Sequence, residues 1–212
     1  MPRPQNRFAR AAKVLANLLA LVFVAPAALT CWLEERLTTG GEGAFVLWTH
    51  VFALLPGHPG LVLRRAFYRS TLNSCSLESS IGFGALFSHR EARVERDVYV
   101  GPYAVIGCAH LRAGCLIGTR VSLLSGLTQH ELRDDGRWAP SDRTRFTVIE
   151  IGNDAWIGEA ATVMADIGAG ALVAAGSVVS SPVPPRVVVA GNPARFVREI
   201  QPVPPPRADP VT

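Results

Sequence analysis

"IGNDAWIGEAATVMADIGAGALVAAGSVV", residues 151–179, decides the fold of this chain. Ile151, Ile157 and Val163, then Ile167, Val173 and Val179, recur at nearly constant spacing, four of them followed directly by Gly or Ala. The same beat runs through VERDVY, VGPYAV, IGCAH, LRAGCL, IGTRVS and LLSG from residue 94 to 126. All twelve blocks from the two stretches, including the closing VSSPVP, open on Val, Ile or Leu. A small or compact residue favours the fifth position: Val98, Ala104, Cys115, Val121, Ala155, Ala161, Ala171 and Ser177.

An α-helix cannot use this pattern, because a turn of about 3.6 residues would scatter a six-residue beat around its surface. A chain that bends every six residues can use it. Three short strands then close one triangular coil of roughly eighteen residues, and the opening aliphatic of each block points inward onto its counterpart one coil away. The glycine after it is expected to serve the corner, through positive φ or close backbone approach. One coil buries little, so the core exists only as a stack. The reading is therefore mainly β.

These blocks resemble the hexapeptide-repeat acyltransferases, whose fold is a left-handed parallel β-helix. The resemblance covers roughly residues 75–200, and its most specific pieces are "IGNDAWIG" (151–158), "VAAGSVV" (173–179) and "VPPRVVVAGNPARFVREI" (183–200). Together they are most similar to the branch that O-acetylates sugars, glycan units or antibiotics. The resemblance implies acetyl-CoA as co-substrate, no metal, and a homotrimer with clefts between neighbouring prisms. It places Trp156 beside the thioester, Ala175 at the pantetheine amide, and Arg195 and Arg198 at the coenzyme phosphates, where guanidinium forks suit an anion. Two departures stand out. Ser180-Ser181-Pro182 replaces a Thr-Lys-Asp that supplies a basic contact in many relatives, and "VMADIG" is a shortened block.

The beat breaks at "SLLSGLTQHELRDDGRW", residues 122–138, and about twenty-two residues leave the coil before Ile151. A loop of that length without its own structure is usually functional or disordered. We expect an excursion over 127–149 with His130 as general base, because a neutral imidazole can take the proton of a hydroxyl or amine attacking an activated thioester. Glu131, Asp134 or Asp135 is expected to orient its other ring nitrogen. His89 and His110 read as corner or surface residues. With His130 they lack the close pair of a three-histidine zinc site.

Residues 14–33, "VLANLLALVFVAPAALTCWL", carry no charge and as a helix are long enough for a bilayer core. "AFVLWTHVFALL" (44–55) is too short to span. Arg3, Arg7, Arg10 and Lys13 precede the pair, Arg64, Arg65 and Arg69 follow it, and an acidic connector with Glu34, Glu35 and Glu42 separates the runs. Lys/Arg bias then predicts a hairpin over residues 1–70 that dips into the membrane from the cytoplasmic face, separable from the β-helix of 71–200. A cleaved signal peptide and a buried helical cap are the alternatives. The Pro-rich tail 201–212 is expected to be disordered. A formal charge of +4 concentrated in these clusters suits an anionic membrane better than nucleic acid. Four cysteines without metal spacing read as reduced core fillers. Membrane attachment suggests a sugar, glycan precursor or lipid-linked acceptor. A soluble antibiotic acceptor and a non-catalytic assembly module are the rivals.

Overall fold

The computed structural model describes residues 7–38, 40–127, 129–140 and 142–201. Three helices, α1 (Arg7–Leu37), α2 (Gly43–Ala53) and α3 (Gly57–Thr71), precede a left-handed parallel β-solenoid of about six turns. Its two- to six-residue strands form three faces. The first holds Ser74–Cys75, Arg93–Val94, Ala109–Leu111 and Ile149–Ile151, and bridges at Ile167 and Val183 continue it. The second holds Ser80–Ile81, Tyr99–Val100, Leu116–Ile117, Trp156–Ile157, Leu172–Val173 and Val187–Gly191, and closes with an antiparallel strand, Ala194–Glu199. The third holds Leu86–Phe87, Val105–Ile106, Ser122–Leu123, Thr162–Val163 and Val178–Val179.

The block-opening aliphatics stack in register, as the repeat implies. Ile81, Val100, Ile117, Ile157, Val173 and Val189 form one buried column, and Phe87, Ile106, Leu123, Val163 and Val179 form another. The solenoid begins one coil before the blocks counted in the sequence, at Cys75, Ile81 and Phe87, which keep the six-residue beat. The fifth-position residues turn inward at the corners and are all buried.

Two chemistries serve the corners after the first and second faces. The glycine after the aliphatic is required by close approach, not by positive φ. A Cβ at Gly158 would lie 2.5 Å from Ala175 N, at Gly152 2.5 Å from Ala169 N, and at Gly168 2.3 Å from Pro185 N, all backbone of the next coil. Positive φ falls two residues later, at Gly84, Asp97, Tyr103, Gly114, Arg120, Asp154, Ala160, Gly170, Gly176 and Arg186. Six of these ten are not glycine. Each such residue is strained by about 1–2 kcal/mol, which the stacked coils must outweigh. The shortened blocks also find their place. Six-residue spacing holds around the first two corners, whereas Ile106 to Leu111, Val163 to Ile167 and Val179 to Val183 are shorter steps. All of them turn the corner from the third face to the first, where the long excursion also leaves, after Leu123.

The helices close the N-terminal end of the stack. Phe67 of α3 packs on Phe45 and Phe52 of α2 with ring centroids 6.0 and 4.8 Å apart, and Tyr68 meets Phe87 of the first coil edge-on at 4.6 Å. This arrangement corrects the reading of the charges. Arg64 and Arg65 do not flank a bilayer, since they are 2% and 6% exposed. Arg64 donates to the carbonyls of Ile81 (3.0 Å), Phe52 (3.3 Å) and Leu55 (2.6 Å), and Arg65 to Ser79 O and Asn17 Oδ1. The acidic connector is also held by the solenoid. Arg90 of the solenoid pairs with Glu34 at 2.8 Å and donates to Cys31 O, while Glu42 accepts from Arg90 N–H. Arg3 and residues 202–212 lie outside the described residues. All four cysteines are free and buried, and burial pushes the Cys75 thiol up to about 11 and Cys115 up to about 12, so neither is a nucleophile at neutral pH.

Candidate active site

The excursion folds on itself as a small hairpin. Leu132 bridges Trp138, Arg133 N–H donates to Arg137 O at 2.9 Å across the turn, and Ala139 N–H donates to Glu131 O at 2.7 Å. Gly136 takes the left-handed conformation at the tip, φ 75°. Across this hairpin His130 Nδ1 lies 2.9 Å from Ala139 O. A carbonyl oxygen only accepts, so Nδ1 carries a proton, and in the neutral tautomer Nε2 is the acceptor nitrogen. His130 lines a cleft of about 490 Å³ with Leu124, Gly126, Leu127, Gln129, Trp138 and Met164. The cleft opens beside the corner where the excursion leaves.

The partner that orients the ring is thus a main-chain carbonyl, and none of the three acidic residues takes that place. Glu131 pairs instead with Arg145 at 2.6 Å. Asp135 accepts from Arg137 N–H at 3.0 Å, and Asp134 stands in the hairpin turn. His89 bonds to Glu42 and His110 to Glu95, each at 2.9 Å. The histidines read as corner residues are part-buried members of ion-pair clusters, and with His130 they serve three separate partner sets. Ala139 O and Trp138 are site groups that sequence reasoning missed. An exposed Trp in a polar loop was the one available signal.

The residues assigned to the coenzyme lie elsewhere on the same prism. Trp156 is 52% exposed on the outside of the second face, in register with Leu116 and Leu172. Leu172 pairs with Val188 and Val188 with Arg198, so Trp156 and Arg198 share one outward column three strand steps, about 14 Å, apart. Arg195 pairs with Ala190. Three residues apart, Arg195 and Arg198 would point to opposite sides of a regular strand. The bulge between Val188 and Val189 absorbs one residue and returns both to the outer side. Among the described residues neither arginine pairs with a carboxylate, and each donates only to a neighbouring carbonyl, Ala194 O or Glu199 O. Ala175 is exposed at the next corner. Within one chain this surface and the His130 cleft do not meet, since the cleft follows the third face.

These features define a hexapeptide-repeat β-solenoid, the fold of the acetyltransferases that the repeat resembles. The chain's homologues and structural neighbours are acetyltransferases. Serine acetyltransferase 2 of Arabidopsis thaliana is 38% identical over 117 residues, covering 53% of this chain and 32% of the relative. A maltose O-acetyltransferase from Clostridium difficile 630 superposes with a TM-score of 0.58 at 18% identity, covering 76% of this chain and 87% of that one. A galactoside acetyltransferase solved with coenzyme A gives 0.52 at 22% identity, over 74% and 80%. No family model matches the chain. It spans about a third or less of the length of the curated relatives it matches.

Proposed function

We propose that this chain transfers an acetyl group from acetyl-CoA to a hydroxyl of a sugar or glycan precursor, with His130 as general base. The observation that carries this is the His130 tautomer. With Nδ1–H committed to Ala139 O, Nε2 is the nitrogen of the neutral ring left to accept a proton, and His130 lines an open cleft. The acceptor oxygen loses its proton to Nε2 as it bonds to the thioester carbonyl carbon. The tetrahedral adduct then collapses, the C–S bond breaks, and the imidazolium returns the proton to the departing coenzyme thiolate. The sugar acceptor is supported by what the galactoside and maltose acetyltransferases are named for. Trp156, Arg198 and Arg195 on the second face and Ala175 at the adjoining corner offer a track, with an aromatic at one end and, at the other, two guanidiniums that meet no carboxylate among the described residues. That order suits a thioester, a pantetheine arm and phosphates.

Because the track and the His130 cleft are apart in one chain, a complete site requires the excursion of one copy against the second face of another, and a trimer closes that arrangement. Subunit mixing tests it. His130→Ala and Arg195→Ala/Arg198→Ala chains, each weak alone, are expected to recover activity when unfolded together and reassembled. Mixed sites then contain one intact half from each copy. Recovery no greater than the sum of the two variants would mean that the site lies within one chain.

The acceptor side works at a membrane surface in this reading. Among the described residues one helical segment, Ala11–Leu37, is long and apolar enough to cross a bilayer. Its inner stripe, Ala20, Val24, Ala27 and Cys31, is buried against the cap, whereas Leu15, Leu18, Leu19, Val22 and Phe23 are exposed. Leu47 and Val51 of α2 and Leu54 at its C-terminal cap add exposed apolar surface. Asn17–Arg65 ties α1 to α3 and Glu34–Arg90 ties it to the solenoid, so a crossing would draw these charges into hydrocarbon at several kcal/mol each. The helix therefore lies along the surface, with the Trp32–Arg36 stack (5.1 Å) at the interface near its end. Val22→Glu/Phe23→Glu is expected to abolish flotation with anionic liposomes while leaving the solenoid folded. Flotation at the wild-type level would remove the membrane from this reading.

A further inference from the structure

The returning limb of the excursion carries a short 3-10 turn, Arg143–Arg145, for which the proposed reaction has no chemical use. Asp142 caps it, its Oδ1 accepting from Thr144 N–H at 2.9 Å and from Thr144 Oγ1 at 2.7 Å. The turn makes contacts in two directions. On one side, Arg145 Nη2 is 2.6 Å from Glu131 Oε2, and Asp142 N–H donates to Gln129 O at 3.4 Å. Those two acceptors belong to the residues immediately before and after His130. On the other side, Arg143 donates to Gly40 O at 2.8 Å and meets Glu91 Oε1 at 2.7 Å and Glu42 Oε1 at 3.1 Å.

Glu42 is well held. Its side chain is 12% exposed and also accepts from Arg90 N–H at 3.1 Å and bonds His89 Nδ1 at 2.9 Å. Burial alone would raise its carboxyl. The bonds from His89 and Arg90 N–H, together with the Arg143 charge, outweigh burial and hold it below its ordinary value. Glu42, His89 and Glu91 could otherwise converge on a cation, and Arg143 supplies positive charge there. The His89 ring packs 4.9 Å from Phe146, on the same limb.

We propose that the turn is a bracket that positions His130: Arg143 fastens the excursion to the α1–α2 connector, and Arg145 and Asp142 transmit that anchorage to residues 131 and 129. A long loop tied to the solenoid only at its two ends would sample many placements of its tip. General-base catalysis does not tolerate that, since a misplacement of about 1 Å costs up to 10²-fold. Arg143 and Arg145 are thus positioning residues. The bracket also ties the loop to the helical cap, so the two surfaces move as one body. This inference rests on His130 being the base.

The test combines kinetics with hydrogen exchange on the full-length protein. Arg143→Ala is expected to lower kcat about tenfold or more, within the range for a misplaced catalytic group, to leave KM for acetyl-CoA unchanged, and to speed amide exchange over 129–142. Arg143→Lys, which keeps the charge but loses the fork, is expected to fall between the two. Arg145→Ala should reproduce the kcat loss while exchange at 40–42 stays at the wild-type rate, which separates loss of the bracket from loss of the cap. Unchanged exchange over 129–142 in Arg143→Ala would overturn the bracket, and faster exchange with wild-type kcat would overturn its role in catalysis. If His130→Ala itself keeps full activity, the catalytic reading fails, while the exchange arm still decides whether the bracket exists.

Discussion

Replacing His130 by alanine is expected to lower turnover of acetyl-CoA by about 10²–10⁴-fold, the usual worth of a positioned general base. The fold should be untouched. His130 sits on an exposed hairpin, and its ring makes one described hydrogen bond, to Ala139 O. No stacked column of the solenoid includes it. KM for acetyl-CoA should barely change, because the proposed coenzyme track lies away from the His130 cleft. That pattern, a loss in kcat without a loss of coenzyme affinity, marks an interaction made in the transition state. His130→Asn tests the same point with a side chain that can still reach a carbonyl but cannot take a proton at neutral pH. Turnover of labelled acetyl-CoA against a panel of sugar acceptors is the measurement. A variant that keeps more than about a tenth of wild-type activity, far above the expected loss, would remove His130 as the base.

How much of this was legible in the sequence depends on whether a side chain or the backbone carries the information. The inner columns were readable because each needs an aliphatic at fixed spacing, and a substitution there is visible as a break in the beat. The glycine after each aliphatic was legible as a position but ambiguous in cause. Positive φ and close approach both exclude a Cβ in principle, and only the distance to the next coil separates them. Six non-glycine residues at positive φ show that the stack enforces this conformation against local preference. The partner of His130 was invisible because it is a main-chain carbonyl, which any residue at 139 would supply. The carboxylate at 131, next in sequence to the imidazole, pairs with Arg145 instead.

The alignment of Arg195 with Arg198 was equally hidden, since it follows from a bulge in a strand pair and not from their spacing. The helical charges misled for a different reason. Lys/Arg bias is informative only for side chains in solvent, and two of the three arginines after the second apolar run face inward. What buries them is carbonyl oxygens of distant segments, to which no single residue type corresponds. The same contacts change the status of the N-terminal third. It is the lid on an open stack, so removing residues 1–60 is expected to expose Phe67, Tyr68 and Phe87 and to yield an aggregating solenoid instead of a clean soluble one.

Arg64→Met is accordingly expected to destabilise the chain by about 3 kcal/mol or more, more than most substitutions outside a packed core. Arg64 is buried without a carboxylate, and burial pushes its pKa down; the carbonyls around it hold the charge. Two of those carbonyls, of Phe52 and Leu55, end the α2 segment, and a third, of Ile81, belongs to the first coil. One guanidinium therefore caps a helix and joins the lid to the solenoid. Its neighbourhood is built around that fork: a Cβ at Gly60 would lie 1.9 Å from Leu55 O and 3.0 Å from Arg64 Nη1, so only glycine leaves the path open. Methionine keeps much of the volume but donates nothing, and takes the guanidinium from the carbonyls of Leu55 and Ile81 at about 1–3 kcal/mol each. Lysine keeps the charge on a single point and cannot span acceptors from two segments, so it should recover only part of the loss. Urea unfolding of the full chain decides the matter. The midpoint should fall in the order wild type, Arg64→Lys, Arg64→Met, with the slope unchanged if the whole chain still unfolds as one unit. An Arg64→Met midpoint equal to wild type would mean that the lid is held by its aromatic packing alone.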